Sequence, residues 1–138
     1  MNKWIEEVRA FQEIFECKFD KQTDLIDLRK QLVQEETNEF MNAIHVLLAI
    51  QWLKEQGESC YAEEEKKCRI ALLDAIADSI IVLIGTANAL NLNLDVAMER
   101  VFESNRTKLN SDGRPFYNTH GKVMKGPNFK APELEDLI

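Results

Sequence analysis

The residues most able to do chemistry are carboxylates placed where carboxylates are costly. Glu35, Glu36 and Glu39 lie in the stretch Arg29 to Phe40, RKQLVQEETNEF. An α-helix turns about 100° per residue, so residues three, four and seven apart share a face. On that wheel Leu25, Leu32, Phe40, Ala43 and Leu47 form one apolar stripe. Glu36 falls inside the stripe, Glu39 at its edge and Glu35 just beyond it. A buried carboxylate is costly unless a cation pairs with it. Like charges four residues apart also destabilise a helix, by about 0.2–0.5 kcal/mol. Arg29 is the only cation nearby on the same face. A bound divalent metal is the expected compensation.

A second pair, Asp74 and Asp78, is spaced four apart in an apolar segment and so shares a helix face. Its neighbours on that face are the small or short residues Ala71, Ala75, Val82 and Gly85, while Leu72, Leu73, Ile76, Ile80, Leu83 and Ile84 lie opposite. A solvated face normally mixes Lys, Arg and Glu. None of these occurs from Ala71 to Asn88. Small residues let another helix approach closely and leave room for an ion. Glu36 and Glu39 from one helix, with Asp74 and Asp78 from another, make an all-oxygen donor set. Hard oxygen ligands select Mg²⁺, or Mn²⁺, over zinc. A di-iron carboxylate bundle would need Glu-x-x-His pairs; His45 falls on the far side from Glu36, and His120 lies in the tail.

The elements that must hold these groups are helical. Residues 2 to 17 repeat with helical period, with Trp4, Val8, Phe11, Ile14 and Phe15 as the expected buried face. A polar segment, KFDKQTD, follows, and Thr23 or Asp24 is expected to cap the second helix. That helix runs from about Leu25 to the vicinity of Gly57, a natural C-terminal residue, with a break allowed around Ala49 to Trp52. Trp52, like the aromatic residues near the start, is expected in the core. Glu63 to Lys67 suits the exposed first turns of a third helix, which is apolar nearly all round from Ile70 to Ala87 and therefore central, in mid-bundle or at a subunit interface. A fourth helix spans Leu94 to about Lys108, with Asn93 as its cap and Asp95 in its first turn. Beyond Lys108 the period disappears. Asp112-Gly113, Gly121 and Gly126-Pro127 signal turns. This tail carries a local basic excess that calls for an anionic partner: Arg106, Lys108, Arg114, Lys122, Lys125 and Lys130 against Asp112.

The totals agree with one all-α domain. The chain has 138 residues, 45% of them hydrophobic, enough for a single modest core. Its net charge of −7 disfavours nonspecific binding to nucleic acid or anionic membranes. Cys17, Cys60 and Cys68 show no CxxC spacing and read as reduced thiols. No basic segment precedes an apolar one at the start, so no signal peptide is expected. The longest apolar run, Ile76 to Leu83, is interrupted by Asp78 and Ser79 and reads as too short to span a bilayer. A cytoplasmic protein is expected, with no membrane partner.

Four blocks in order carry a family resemblance: RxxLxxEExxEF from Arg29, DxxxDxxxVxxGTA at Asp74 to Ala87, SNxxKL at Ser104 to Leu109, and GKVxKGPNF at Gly121 to Phe129. Together they resemble the MazG-like superfamily of all-α nucleoside triphosphate pyrophosphohydrolases, which includes dimeric dUTPases, dCTP pyrophosphatases and phosphoribosyl-ATP pyrophosphohydrolase. The resemblance covers most of the chain from Arg29 onward. It implies a single domain over residues 1–138: a bundle of about four main helices within 2–108, completed by dimerisation or as a dimer of dimers, and an irregular tail over 109–138. It implies Mg²⁺-dependent hydrolysis of a nucleoside triphosphate between the α and β phosphates, giving the monophosphate and pyrophosphate. By the same resemblance Glu36, Glu39 and Asp78 match metal ligands, and Glu35 matches the acid that orients or deprotonates the attacking water. One position departs. The family's second motif is ExxD, and with Asp78 as its Asp, Ala75 stands at the Glu position and Asp74 offers a shorter carboxylate beside it. Asn105, Lys108 and Lys125 match positions that contact phosphate or base, and Arg29 either pairs with a cluster carboxylate or reaches a phosphate. Two other readings stay open: phosphoribosyl-ATP hydrolysis in histidine biosynthesis, and a non-catalytic helical assembly or regulatory module.

Overall fold

A computed structural model describes residues 3–15 and 18–138. Cys17 therefore lies outside the described residues, as does the end of the first expected helix. The chain divides into two compact units, Lys3–Ala89 and Leu90–Ile138. The first contains α1 (Lys3–Phe15), α2 (Gln22–Glu55) and α3 (Ala62–Ala89); the second contains α4 (Leu94–Arg106) and a short 3₁₀ turn (Glu135–Leu137). Among the described residues there is no β-strand, only two isolated bridges, Leu109 with Pro115 and Tyr117 with Val123. The protein is all-α.

In the first unit α3 packs against both α2 and α1. Three contacts fix α2 and α3 as antiparallel: Lys54 bonds Glu65, the Cys68 thiol donates to the Ala43 carbonyl, and Arg29 lies against Gly85. The α2 stripe forms as its spacing predicts, with Leu25, Leu32, Glu36, Phe40, Ala43 and Leu47 all partly buried. The helix is unbroken over 34 residues. Ala49 to Trp52 contains no glycine or proline, and the buried Ile50 holds that turn against the core.

The ends of α2 differ in how much the sequence foretold. Its N-cap is Lys21, which makes no side-chain capping bond. Thr23 and Asp24 are thus already inside the helix, where Asp24 faces the positive end of the dipole. At the other end Gly57 has φ +91°, the left-handed conformation that glycine adopts without penalty. The Glu58 amide then donates to the Leu53 carbonyl and the Gly57 amide to Lys54, a Schellman closure.

The phase of α1 is the main correction to the sequence reading. Ile5 and Val8 are buried, but Trp4, Phe11, Ile14 and Phe15 are exposed, Trp4 by 58%. Trp52 is exposed as well. The buried face of α1 is set by polar pairing that hydrophobic counting overlooks. Gln12, on the same face as Ile5 and Val8, donates to the Gly85 carbonyl at 2.8 Å. Asn88 donates to the Ile5 carbonyl at 3.3 Å and to Gln12 Oε1 at 3.2 Å. These bonds turn the aromatic residues outward, where Phe11 and Phe15 stack on each other at 4.5 Å.

The apolar run around Ile76 belongs to a helix of 28 residues that by length and composition alone could cross a membrane. Asp74 and Asp78 weigh against that. Each acid would cost about 2.5–3.5 kcal/mol at the centre of a bilayer.

In the second unit Asn93 caps α4, its side chain accepting from the Val96 amide at 3.4 Å. The tail is built of hydrogen-bonded turns. Asn118 Oδ1 accepts from the amides of His120 and Lys122, both at 2.9 Å, in an Asx-type turn closed by Gly121 at φ +76°. The chain then returns to α4. Ser104 donates to the Lys130 carbonyl at 2.7 Å, the Lys130 amide donates to Thr107 Oγ1 at 2.8 Å, and Arg100 forms a bidentate pair with Asp136.

Candidate metal and phosphate site

Glu36 is the centre of the acid cluster. It projects from the α2 stripe toward α3, and its Oε2 is buried and accepts no hydrogen bond among the described residues. Burial pushes its pKa above the usual carboxylate range, and the charges of Glu39, Asp78, Glu35 and Asp74, in that order, push it further. The other four carboxylates named from the sequence thus all act on Glu36. Glu35, Glu39, Asp74 and Asp78 are themselves exposed. Among the described residues no three His, Cys, Asp or Glu side chains stand close enough to enclose an ion as they are. The donor chemistry nevertheless fits a hard divalent cation: every group is an oxygen ligand, and the one buried oxygen lacks a donor.

Ala75 is buried at 4% exposure. The position where the resembling motif carries Glu thus faces packing, and Asp74 beside it is the exposed carboxylate. Asp74 also has the smallest electrostatic effect on Glu36 of the four neighbouring acids.

Arg29 is 7% exposed. Burial lowers the pKa of its guanidinium. A Cβ placed on Gly85 would lie 3.0 Å from Arg29 Nη1 and 3.3 Å from Gln12 Nε2. Glycine is what admits both side chains to the backbone of α3. Neither Gln12 nor Asn88 was among the residues picked out from the sequence; the available signal was a polar residue in register with Ile5 and Val8.

No protein-family model matches the chain, and no curated protein matches it. The site accordingly rests on its own geometry.

Asn105, Lys108 and Lys125 belong to the second unit. Asn105 and Lys125 are exposed and Lys108 is partly buried. The Lys125 ammonium lies 4.5 Å from the centre of the Phe129 ring, a cation–π contact. Gly126 is seated on Phe116, where an added Cβ would meet the ring at 3.0 Å, and 3.5 Å from the Lys108 carbonyl. The GKVxKGPNF block thus folds back on the end of the SNxxKL block. Within this unit they form one local surface.

Proposed function

We propose that this protein is a Mg²⁺-dependent nucleoside triphosphate pyrophosphohydrolase, with Mn²⁺ as an alternative ion, which cleaves between the α and β phosphates. The observation that carries the reading is the buried Glu36 oxygen that accepts no hydrogen bond among the described residues, on which the charges of four further carboxylates of α2 and α3 act. Folding alone does not favour such an arrangement, and a divalent cation would relieve it. Glu36, Glu39, Asp74 and Asp78 are the candidate ligands. A bound ion would neutralise phosphate charge and increase the acidity of a coordinated water. Phosphoryl chemistry otherwise depends on positioning. Glu35, exposed at the edge of the cluster, would orient or deprotonate the attacking water. Asn105, Lys108 and Lys125 are the candidates for phosphate or base contacts.

The same reading includes a homodimer, or a dimer of dimers, in the cytoplasm. It is supported by the apolar surface that one chain leaves open: Ile70, Leu73, Ile76, Ile80 and Leu83 of α3, with Leu73 69% exposed, and the aromatic residues of α1. Large exposed apolar side chains on two helices are what an association surface would cover.

One observation favours a second reading. The buried Ala75 in place of a Glu is consistent with a non-catalytic helical module that keeps only part of the site. The deciding experiment is pyrophosphate release from a set of NTPs and dNTPs with Mg²⁺, comparing wild type with Glu36→Gln and Asp78→Asn. Release that both substitutions abolish, with helical circular dichroism unchanged, supports the enzyme. No release from any triphosphate, with both variants melting higher than wild type, leaves the non-catalytic module.

A further inference from the structure

The end of α4 meets the returning tail through hydroxyl groups. Among the described residues of the helix Ser104 alone is buried, whereas Met98 and Phe102 are exposed. The Ser104 hydroxyl donates to the Lys130 carbonyl at 2.7 Å. Thr107 lies three residues on, on the same face of the turn. Its oxygen accepts from the Lys130 amide at 2.8 Å, while its own proton goes to the Ser104 carbonyl at 2.7 Å. Both backbone groups of Lys130 are thus bonded to side chains at the end of α4. Position 104 must donate and position 107 must accept, which alanine and valine cannot do.

The residues just before Lys130 form a closed turn. The Phe129 amide donates to the Gly126 carbonyl at 3.2 Å, with Pro127 at the second of the four positions, where its fixed φ suits a turn. The Phe129 ring carries the Lys125 ammonium at 4.5 Å. The other end of the turn is anchored within the tail: the Met124 amide donates to the Phe116 carbonyl at 2.8 Å, and Gly126 is seated on the Phe116 ring. The Lys130 bracket ties the same turn to the helix end that bears Asn105 and Lys108.

We propose that Ser104 and Thr107 are positioning residues: by bracketing Lys130 they fix the Lys125–Phe129 turn at the end of α4 and set the Lys125 ammonium where it would meet a substrate phosphate. The phosphate half rests on the functional reading above; the fixing of the turn does not. Holding Lys130 holds Phe129 beside it, and Phe129 in turn carries both the turn-closing bond and the Lys125 ammonium.

The test has two readouts on the full chain, in wild type, Ser104→Ala, Thr107→Val, Thr107→Ser and Lys125→Ala. The first is hydrogen exchange of the Phe129 amide, which bonds to Gly126 and to neither hydroxyl. Ser104→Ala and Thr107→Val should speed it by about tenfold, the worth of about one hydrogen bond to local opening. Thr107→Ser keeps the hydroxyl and should exchange as wild type does. The second readout is the affinity for inorganic tripolyphosphate with Mg²⁺, measured by titration calorimetry. Ser104→Ala and Thr107→Val should weaken it toward the level of Lys125→Ala, and Thr107→Ser should restore it. Phe129 exchange that stays at the wild-type rate in Ser104→Ala and Thr107→Val overturns the proposal, whatever binds. Faster exchange with tripolyphosphate affinity lost only in Lys125→Ala overturns it too. Exchange that responds as expected, while wild type binds no tripolyphosphate or Lys125→Ala binds it equally well, upholds the bracket and removes the phosphate role of Lys125 instead.

Discussion

Glu65 and Glu36 both lie at the α2–α3 contact, and their surroundings are opposite. Glu65 accepts hydrogen bonds from Lys54 and from Arg69, each at 2.7 Å at its shortest, and its pKa falls from an ordinary 4.5 to about 2. Glu36 feels the charge of four acids, has one oxygen without a donor among the described residues, and has its pKa pushed up. The first carboxylate fastens the start of α3 to the end of α2. The second is tolerated by the fold rather than used by it. The comparison thus separates a carboxylate that holds the helix pair together from one that its neighbours disfavour, the kind of position where the proposed site is placed.

The largest effect expected from breaking this contrast is on activity. Glu36→Gln should lower Mg²⁺-dependent pyrophosphate release more than about a hundredfold, beyond the loss seen when groups merely supporting a ligand are removed. Steady-state assays at saturating Mg²⁺ check this. Retention of activity would mean that the half-buried Glu36 carboxylate is not a ligand.

Glu65→Gln should act on stability and spare the site. The folded pKa of Glu65 is below its unfolded value, so its contribution is fully present above pH 4.5 and lost as pH falls from there through about 2. The variant should melt below wild type at neutral pH, and the two melting curves should converge in acid. A gap that stays constant with pH would show that packing, not charge, holds this contact.

A smaller effect of opposite sign is expected at the cluster. In metal-free buffer, Asp78→Asn relieves like-charge repulsion and should raise the melting temperature by about 1–3 °C. Saturating Mg²⁺ should reverse the order, since only wild type keeps the ligand. The least effect is expected in the second unit, where the Arg100–Asp136 pair is exposed to solvent. Asp136→Asn should leave the melt nearly unchanged, yet speed hydrogen exchange of the Asn93 amide, which donates to the Leu137 carbonyl, and of the Leu137 amide, which donates to Leu134.

Much of the architecture was legible. Glu36 inside an apolar stripe, Asp74 and Asp78 on a face of small residues, the Gly57 stop and the Asn93 cap all follow from spacing and from local backbone chemistry. The phase of α1 did not. Trp4, Phe11 and Phe15 outweigh Gln12 on any hydrophobic scale, but a half-buried polar pair must be satisfied, and Gln12 bonds Gly85 and Asn88 of α3. The capping of α2 was misplaced for a similar reason. Thr23 and Asp24 are good caps in isolation, but the chain entered the helix at Gln22 without using either.

The sequence by itself determined helix identity, the stripe on α2 and the grouping of acids on each helix, because these depend on neighbours within two turns. Only the tertiary structure decided that the two acid groups face one another, that Ala75 points into packing, and that Arg29 is seated on Gly85. Those are relations between segments far apart in the chain. They depend on how side chains of different helices meet, which no single helix contains.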